Sequence, residues 1–250
     1  MAEQSMKLAM KLAMKLAMRL DLKTWQEVEA YLQTNTAIII PVGSTEQHGP
    51  MGLIGTDALC AQAVARAAGD QIATLVAPTV ALTPAPFNMG FPGTISLSVA
   101  TFSAVITEVV QGLSSQGFTK FYFLNGHGAN LAPLNSIANH ISRRGSPEFR
   151  IRSWWDFDAV NHLRRDYYGD WEGMHATPSE VAITQAIHRV VAPGDAASPP
   201  KALSAEFIKA HAGDNHGPPE EHRRDFPDGR VGSHSALAQP EHGHALLQAA

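Results

Sequence analysis

The sequence contains almost no cysteine. The only one among 250 residues is Cys60, so the chain cannot form an internal disulfide or a cysteine-based metal cluster. Cys60 lies in an apolar, helix-like pattern, which is typical of a small buried side chain. Such a composition suits a reducing compartment, and we therefore expect a cytoplasmic protein.

The sequence also lacks a marked excess of one charge and a long apolar run. It has 19 basic and 23 acidic residues and a net charge of −4, without the basic footprint of a nucleic-acid-binding protein. No apolar run reaches the roughly 20 residues that cross a membrane. These absences argue against a nucleic-acid partner and against a membrane-spanning segment.

The N-terminal segment is repetitive. Residues 6–20 repeat Met-Lys-Leu-Ala three times and end in Met-Arg-Leu. A basic residue at every fourth position is compatible with an amphipathic helix on a membrane surface. The tandem repeat is also typical of an added leader before a natural start near Met18, which is the interpretation we favour. We expect residues 1–20 to lie outside a single folded domain of residues 21–250.

The rest of the chain alternates between strand and helix patterns. Short runs rich in β-branched and aromatic residues predict buried strands at 37–42, 72–77, 121–124 and 150–154. With 44% hydrophobic residues, the chain can bury one large core. The alternation predicts an α/β domain with a mainly parallel sheet and helices on both faces.

The composition changes abruptly after the first predicted strand. Between Gly43 and Gly55, glycine and proline surround Glu46 and His48, and Asp57 follows where a helical pattern begins. Residues two apart on an extended segment point the same way, so the first carboxylate and the imidazole would converge. Such ligands suit Zn²⁺ or Mn²⁺. The alternative is a polar loop in which the second carboxylate caps the next helix.

A second glycine-flanked histidine follows the strand predicted at 121–124. It is His127, within Asn-Gly-His-Gly-Ala-Asn at 125–130. A lone histidine at a strand end is more often structural than a ligand. Loops after parallel strands meet at one edge of the sheet, however, so we expect this histidine to join the polar residues of the first loop.

A third polar segment, His-Ala-Thr-Pro-Ser-Glu at 175–180, opens an apolar helix. Thr177 before Pro178 is a standard N-cap, and Glu180 would complete a capping box. This structural role competes with a role of Glu180 as a metal ligand.

Two further regions give weaker predictions. The polar and aromatic residues 160–174 are interpreted either as a flap over the site or as a surface loop. The later histidines lack the spacing of a defined site and are interpreted as mostly solvated or interface groups: His211, His216, His222, His234, His242 and His244.

Four motifs in this order resemble the creatininase family of metal-dependent amidohydrolases. They are Pro-Val-Gly-Ser-Thr-Glu-Gln-His-Gly-Pro at 41–50 with Gly-Thr-Asp at 55–57, Phe-Pro-Gly-Thr at 91–94, and the segments 125–130 and 175–180 given above. The resemblance extends over nearly all of the chain after the repeat. It implies a three-layer α/β/α sandwich, commonly assembled into hexamers, with two divalent metal ions of Zn²⁺ and Mn²⁺ type.

The resemblance also implies metal ligands. Glu46 and His127 would bind one metal, His48 would bind the other, and Asp57 would bridge both. Members of the creatininase type carry an acidic ligand two residues after the metal-binding histidine, where this sequence has Ala129. We therefore predict that Glu180 supplies the missing oxygen ligand. We also predict a catalytic role for Glu180.

On the substrate side, the resemblance points to His175 as the histidine acting on the substrate. Trp171 falls where an aromatic wall of the substrate pocket lies. The substrate is further expected to contact the loop residues Gly128, Ala129 and Asn130. Many members also carry a histidine shortly before Phe-Pro-Gly-Thr, whereas this chain has Phe-Asn-Met-Gly at 87–90.

These features predict hydrolysis of a C–N bond in a cyclic or small amide, as in a creatinine amidohydrolase, by a metal-activated water. Two alternatives use the same site: a formamide deformylase, or an amidase acting on small peptides. A third hypothesis, motivated by Ala129 and by the change at 87–90, is a metal-binding scaffold without catalytic activity.

Overall fold

The computed structural model describes residues 18–142 and 147–250. The leader and membrane-anchor hypotheses both fall on residues 1–17, outside the described residues, and stay predictions. The last residues of the repeat do belong to the fold. The carbonyl of Met18 accepts a hydrogen bond from the Val76 N–H (2.7 Å), and Met18 and Leu20 pack against the core. The expected boundary after residue 20 therefore excludes three residues that cover the edge of the sheet.

A parallel four-stranded sheet forms the centre of the molecule. Its order is β2-β1-β3-β4, and each neighbouring pair is parallel. The strands are β1 Ala37–Val42, β2 Leu75–Val76, β3 Lys120–Asn125 and β4 Glu148–Ser153. The chain moves to one side of β1 for the second strand and to the other side for the third.

The strand residues alternate between two hydrophobic clusters, one on each face of the sheet. Ile38, Ile40 and Val42 belong to one cluster, and Ile39 belongs to the other. This alternation follows from the period of two in side-chain direction along a strand. Because both faces are covered, β1 is a continuous apolar run.

Helices cover both faces, which confirms the predicted three-layer α/β/α architecture. The helices are α1 Trp25–Leu32, α2 Thr56–Ile72, α3 Val99–Ser115, α4 Leu131–Ile141, α5 Asp158–Tyr168, α6 Pro178–Ile187, α7 Ala205–Ala210, α8 Pro219–Asp225 and α9 Pro240–Ala249. Helices α1, α3 and α4 pack on one face of the sheet, and α2, α5, α6 and α9 on the other. None of the helices in the described ranges combines the length and apolar character needed to span a membrane.

Residues 160–174, predicted as a flap or surface loop, are mainly helical. They fall in α5 and in a 3-10 helix, Gly169–Glu172. Val160 and Tyr168 are buried in the cluster on the α2 side of the sheet. These buried residues form an apolar stripe on α5. The stripe is hard to recognise in the sequence because the many charged residues around it lie on the face that α5 presents to solvent.

Candidate metal centre

The carboxyl ends of β1 and β3 deliver the predicted ligands to one point, the place where the strand order reverses. The structure brings together five side chains, none more than 7% exposed: Glu46, His48, Asp57, His127 and Glu180. Gly126 permits this approach, since a Cβ there would collide with the carbonyl oxygen of Asp57 at the start of α2.

The five side chains form two groups that share Asp57. In the first group, His48 Nε2 lies 2.9 Å from Asp57 Oδ1 and 3.9 Å from Glu180 Oε2. In the second, His127 Nδ1 lies 3.1 Å from Asp57 Oδ2 and 3.2 Å from Glu46 Oε1. Each group could hold one metal ion. Asp57 turns one oxygen towards each histidine, which is the arrangement expected of a bridging carboxylate. We call the two groups the His48 side and the His127 side.

Backbone carbonyls orient the imidazole rings. His48 Nδ1 lies 3.1 Å from the Glu46 carbonyl oxygen, and His127 Nε2 lies 2.8 Å from that of Pro84. Because these nitrogens donate their hydrogens to the carbonyls, the lone pairs of the opposite nitrogens face the carboxylates. Metal-ligating histidines are held in this way by a second hydrogen bond.

The electrostatics of the site favour a cation at its centre. Burial alone would lower the pKa of His48, but Asp57 and Glu180 overcome this and raise it to about 10. The pKa of His127 is likewise raised despite burial, chiefly by Glu46. Burial raises the pKa of Glu180 to about 7, against the attraction of His48. The carboxylates therefore attract protons onto both imidazoles, and a divalent ion would replace these protons.

Carboxylate oxygens without hydrogen-bond donors show that the residues fit a metal. Both oxygens of Glu46 and Oδ2 of Asp57 are buried, and none accepts a hydrogen bond of good geometry within the described residues. A buried carboxylate normally has its oxygens satisfied, because its desolvation is otherwise uncompensated. Carboxylate oxygens and imidazole nitrogens at this spacing match the ligand preferences of Zn²⁺ or Mn²⁺.

His175 lies beside these groups and is oriented by the first loop. Its Nε2 donates to the Gln47 carbonyl oxygen (2.7 Å), while Nδ1 lies 3.7 Å from Glu46 Oε1. Burial and the neighbouring charge of His48 lower the pKa of His175 to about 3, so its ring is neutral at pH 7. Its free nitrogen can accept a proton or contribute to a ligand group with Glu46 and His48.

Asn88 lies beside this histidine, with its Nδ2 3.3 Å from His175 Nε2, and also supports it through Gln47. Its Oδ1 accepts a hydrogen bond from Gln47 Nε2 (2.7 Å), and Gln47 also donates to the Gly229 carbonyl. The residue that departs from the resemblance thus fixes the side chain of Gln47, whose carbonyl holds His175.

The placement of Glu180 is compatible with both of the roles that the sequence left open. Its Oε1 accepts a hydrogen bond from the Thr177 N–H (2.5 Å), and the Thr177 hydroxyl accepts one from the Glu180 N–H, which completes the capping box of α6. Its Oε2 is the oxygen nearest to His48. One carboxylate can therefore cap the helix and face the metal position.

A cavity of about 210 Å³ opens onto the site. Besides Asp57, His127, His175 and Glu180, it is lined by Trp154, Trp155, Arg164 and Asp214, among others. Trp171, expected as an aromatic wall, lies instead at a separate depression beside His234. A larger cavity of about 390 Å³ lies on the α2 face near the amino ends of the strands, and no histidine is among its lining residues.

The three loop residues after His127 differ in their placement. Gly128 lines the cavity. Ala129 donates its N–H to Asp214 Oδ2 (3.0 Å). The amide of Asn130 is buried and donates to the carbonyl of Gly43 (3.0 Å), so it ties together the loops after β1 and β3.

Several residues near the site carried no recognisable sequence signal. Asp214, Arg164 and the two cavity tryptophans come from segments without a motif. The interpretation of the later histidines as mostly solvated is also wrong for His222, which is buried and packs its ring against Phe87 beside His175. Sequence spacing does not report such contacts because they join distant segments.

Fold and site together define an α/β protein with a candidate dinuclear metal centre at the carboxyl edge of its sheet. The family model described as "Creatininase: Creatinine amidohydrolase" matches residues 21–250. The chain belongs to the creatininase family.

Individual relatives agree with this assignment. The chain is 26% identical to the creatinine amidohydrolase of Pseudomonas putida over 66% of its own length and 70% of that protein. It is 37% identical to the mycofactocin precursor peptide peptidase of Mycolicibacterium smegmatis over 39% of its length and 41% of that protein. A solved creatininase structure shares the fold with a TM-score of 0.75, 22% identity and 93% coverage of both chains. The fold is also that of creatininase structures described as Mn and Zn–Zn forms.

Proposed function

We propose that the protein is a metal-dependent amidohydrolase that cleaves a C–N bond in a cyclic or small amide. The observation that carries this proposal is the pair of buried imidazole–carboxylate groups that share Asp57 and leave carboxylate oxygens without donors. Family membership supports the reaction class. The Mn and Zn–Zn forms of its structural neighbours support the choice of Zn²⁺ or Mn²⁺.

The site residues have distinct roles in this proposal. Glu46, His127 and Asp57 would hold one ion, and His48, Asp57 and Glu180 would hold the other. When bound, the two ions would supply a water of lowered pKa and an electrophile for the amide carbonyl. In the metal-free site burial raises the pKa of Glu180 to about 7, and as a ligand of the ion its carboxylate would be ionised.

His175 acts on the leaving nitrogen. In this proposal its Nδ1 takes the proton released by the attacking water and passes it to the nitrogen of the breaking C–N bond. Its hydrogen bond to the Gln47 carbonyl keeps the donor nitrogen in place throughout.

The cavity limits the substrate. A volume of about 210 Å³ suits a small amide and leaves little room beside the tryptophans. The guanidinium of Arg164 is held by Glu172 (2.9 Å) and by Asn161 (3.0 Å), and places a fixed positive charge at the cavity wall.

The second candidate function is an amidase acting on small peptides. The mycobacterial relatives named as precursor peptide peptidases favour it, although the matched part covers less than half of each. A formamide deformylase and a non-catalytic scaffold are the remaining hypotheses. The hexamer implied by the resemblance stays a prediction, to be measured by light scattering.

The first test is metal content together with a substrate panel. Purified protein should contain about two divalent ions per chain, and His48→Ala should contain fewer. The loaded protein should then hydrolyse at least one substrate among creatinine, other cyclic amides, formamides and short peptides. Bound metal without hydrolysis of any of these substrates would favour the scaffold, and absence of bound metal after Zn²⁺ and Mn²⁺ are supplied would refute the metal centre.

The second test concerns His175. His175→Ala should lower kcat by about 10²- to 10⁴-fold while metal content is unchanged. His188→Ala, at the exposed end of α6, is the matched control. Loss of metal from the His175 variant would refute a role in proton transfer.

A further inference from the structure

Asp214 reaches the metal centre from a distant segment between α7 and α8. Its Oδ2 lies 3.5 Å from His127 Nδ1, the nitrogen that faces Glu46 and Asp57. Three carboxylates therefore surround one imidazole nitrogen, and the side chain of Asp214 is 12% exposed.

The backbone around Asp214 forms a seat for its carboxylate. The Ala129 N–H donates to Oδ2, and a Cβ at Gly128 would lie inside the contact distance of the same oxygen. Asp214 itself has φ +58°, a left-handed conformation that aspartate adopts more readily than most residues. The loop after His127 and the segment that contains Asp214 thus contact each other at Asp214 Oδ2.

Anchoring the loop after His127 does not by itself explain why residue 214 carries a negative charge. An amide side chain would accept the Ala129 hydrogen bond equally well without placing another anion beside Glu46 and Asp57. Like charges at this spacing are unfavourable unless a cation lies between them. Asp214 Oδ2 is 3.5 Å from His127 Nδ1, close to the roughly 3.4 Å that separates two ligand atoms about 2.1 Å from a tetrahedral ion, although Asp214 lies outside the compact group of Glu46, Asp57 and His127.

We propose that Asp214 is a further ligand of the metal ion on the His127 side, together with Glu46, Asp57 and His127. This proposal rests on the metal centre of the proposed function. It makes the two sides unequal: four protein ligands close the His127 side, whereas His48, Asp57 and Glu180 leave a position open on the other. A closed set of four protein ligands is typical of structural zinc, and three with an open position of catalytic zinc.

The test measures the His127 side alone. In a His48→Ala background, we would titrate Zn²⁺ against a chromophoric chelator with and without Asp214→Asn. The substitution should weaken Zn²⁺ binding by at least about 10-fold. Asp195→Asn in the same background is the matched control, because Asp195 is exposed and the substitution changes the charge by the same amount. Circular dichroism of the metal-free proteins checks the fold.

Gly128→Ala is the second variant and replaces none of the proposed ligand residues. Its Cβ should displace the carboxylate of Asp214 and reduce Zn²⁺ affinity in the otherwise unchanged chain, by a smaller factor. Equal Zn²⁺ affinity with and without Asp214→Asn would overturn the proposal. If the substitution changed only the KM for substrate, Asp214 would be a substrate contact and the proposal would also fall. Failure of the proposed function looks different, because the wild-type chain would then bind no Zn²⁺ and both ideas would fall.

Discussion

The two sides of the metal centre are assembled from different parts of the chain. The His48 side comes from two short motifs, with His48 and Asp57 in the first and Glu180 in the second. The His127 side joins loops after two strands and is approached by Asp214, which lies 85 residues from Ala129. Sequence motifs therefore mark every residue of the first side, whereas Asp214 on the second side is brought in only by the completed fold.

The two sides also differ in charge. On the His48 side, one of the two carboxylates, Glu180, has a pKa of about 7 and is partly protonated at neutral pH. On the His127 side, Glu46 and Asp57 have pKa values below their ordinary range despite burial, because the histidines attract their negative charge, whereas burial raises the pKa of Asp214 to about 6. The His127 side should therefore hold a divalent ion more tightly.

The largest effect is expected from the residue that both sides share. Asp57→Asn removes the bridging charge and should reduce metal content from about two ions per chain to below one, with activity lost. Asp70→Asn, at the exposed end of the same helix, is the control for elemental analysis. If the Asp57 variant retained both ions, Asp57 would not be a shared ligand and the two sides would bind metal independently.

A smaller effect, and a direct comparison, comes from removing one histidine at a time. His48→Ala and His127→Ala should each retain about one ion. The ion left in the His48 variant should be bound more tightly, since it remains among Glu46, Asp57 and Asp214. Competition titration with a chelator measures both affinities, and the opposite order would contradict the difference in charge.

Glu180 allows the cap and the ligand to be separated. Glu180→Gln keeps an oxygen for the cap but loses the charge, so Zn²⁺ affinity on the His48 side should fall about 10-fold with little change in Tm. Thr177→Ala should leave the metal unchanged and lower the free energy of unfolding by about 1 kcal/mol. If both variants change only stability, Glu180 is a cap and no ligand.

The last prediction is a pH dependence of the stability of the metal-free protein. The folded-state pKa of His48 is raised from an unfolded value of about 6.5 to about 10. Its contribution to stability is therefore fully present below pH 6.5 and is lost as the pH rises to about 10. Urea unfolding after chelation should show this decline, and the Zn²⁺-loaded protein should show much less of it. Equal pH profiles for the two forms would show that metal does not replace these protons.

The sequence predicted the fold well because its strands carry strong local signals. The run from Ala37 to Ile40 is buried in β1 as expected, and His127 follows β3 directly. Glycine-rich loops after parallel strands were enough to bring Glu46, His48 and Asp57 to the same edge. These are features that short-range pattern and sheet geometry determine together.

The remaining parts of the site depend on long-range contacts. Asp214 has no neighbouring motif, and its position beside His127 follows only from the folded structure, through the 3.5 Å approach to Nδ1 and the hydrogen bond from the Ala129 N–H. Trp171 was placed at the cavity by resemblance, whereas Trp154 and Trp155 line it. Their burial is decided by how α5 packs on the sheet, and local composition does not encode that packing.

Anomalous diffraction from crystals loaded with Zn²⁺ tests the account most directly. We expect two peaks: one between His48 Nε2, Asp57 Oδ1 and Glu180 Oε2, the other between His127 Nδ1, Glu46, Asp57 Oδ2 and Asp214. A single peak, or two peaks that do not share Asp57, would contradict the dinuclear centre on which the proposed hydrolysis depends.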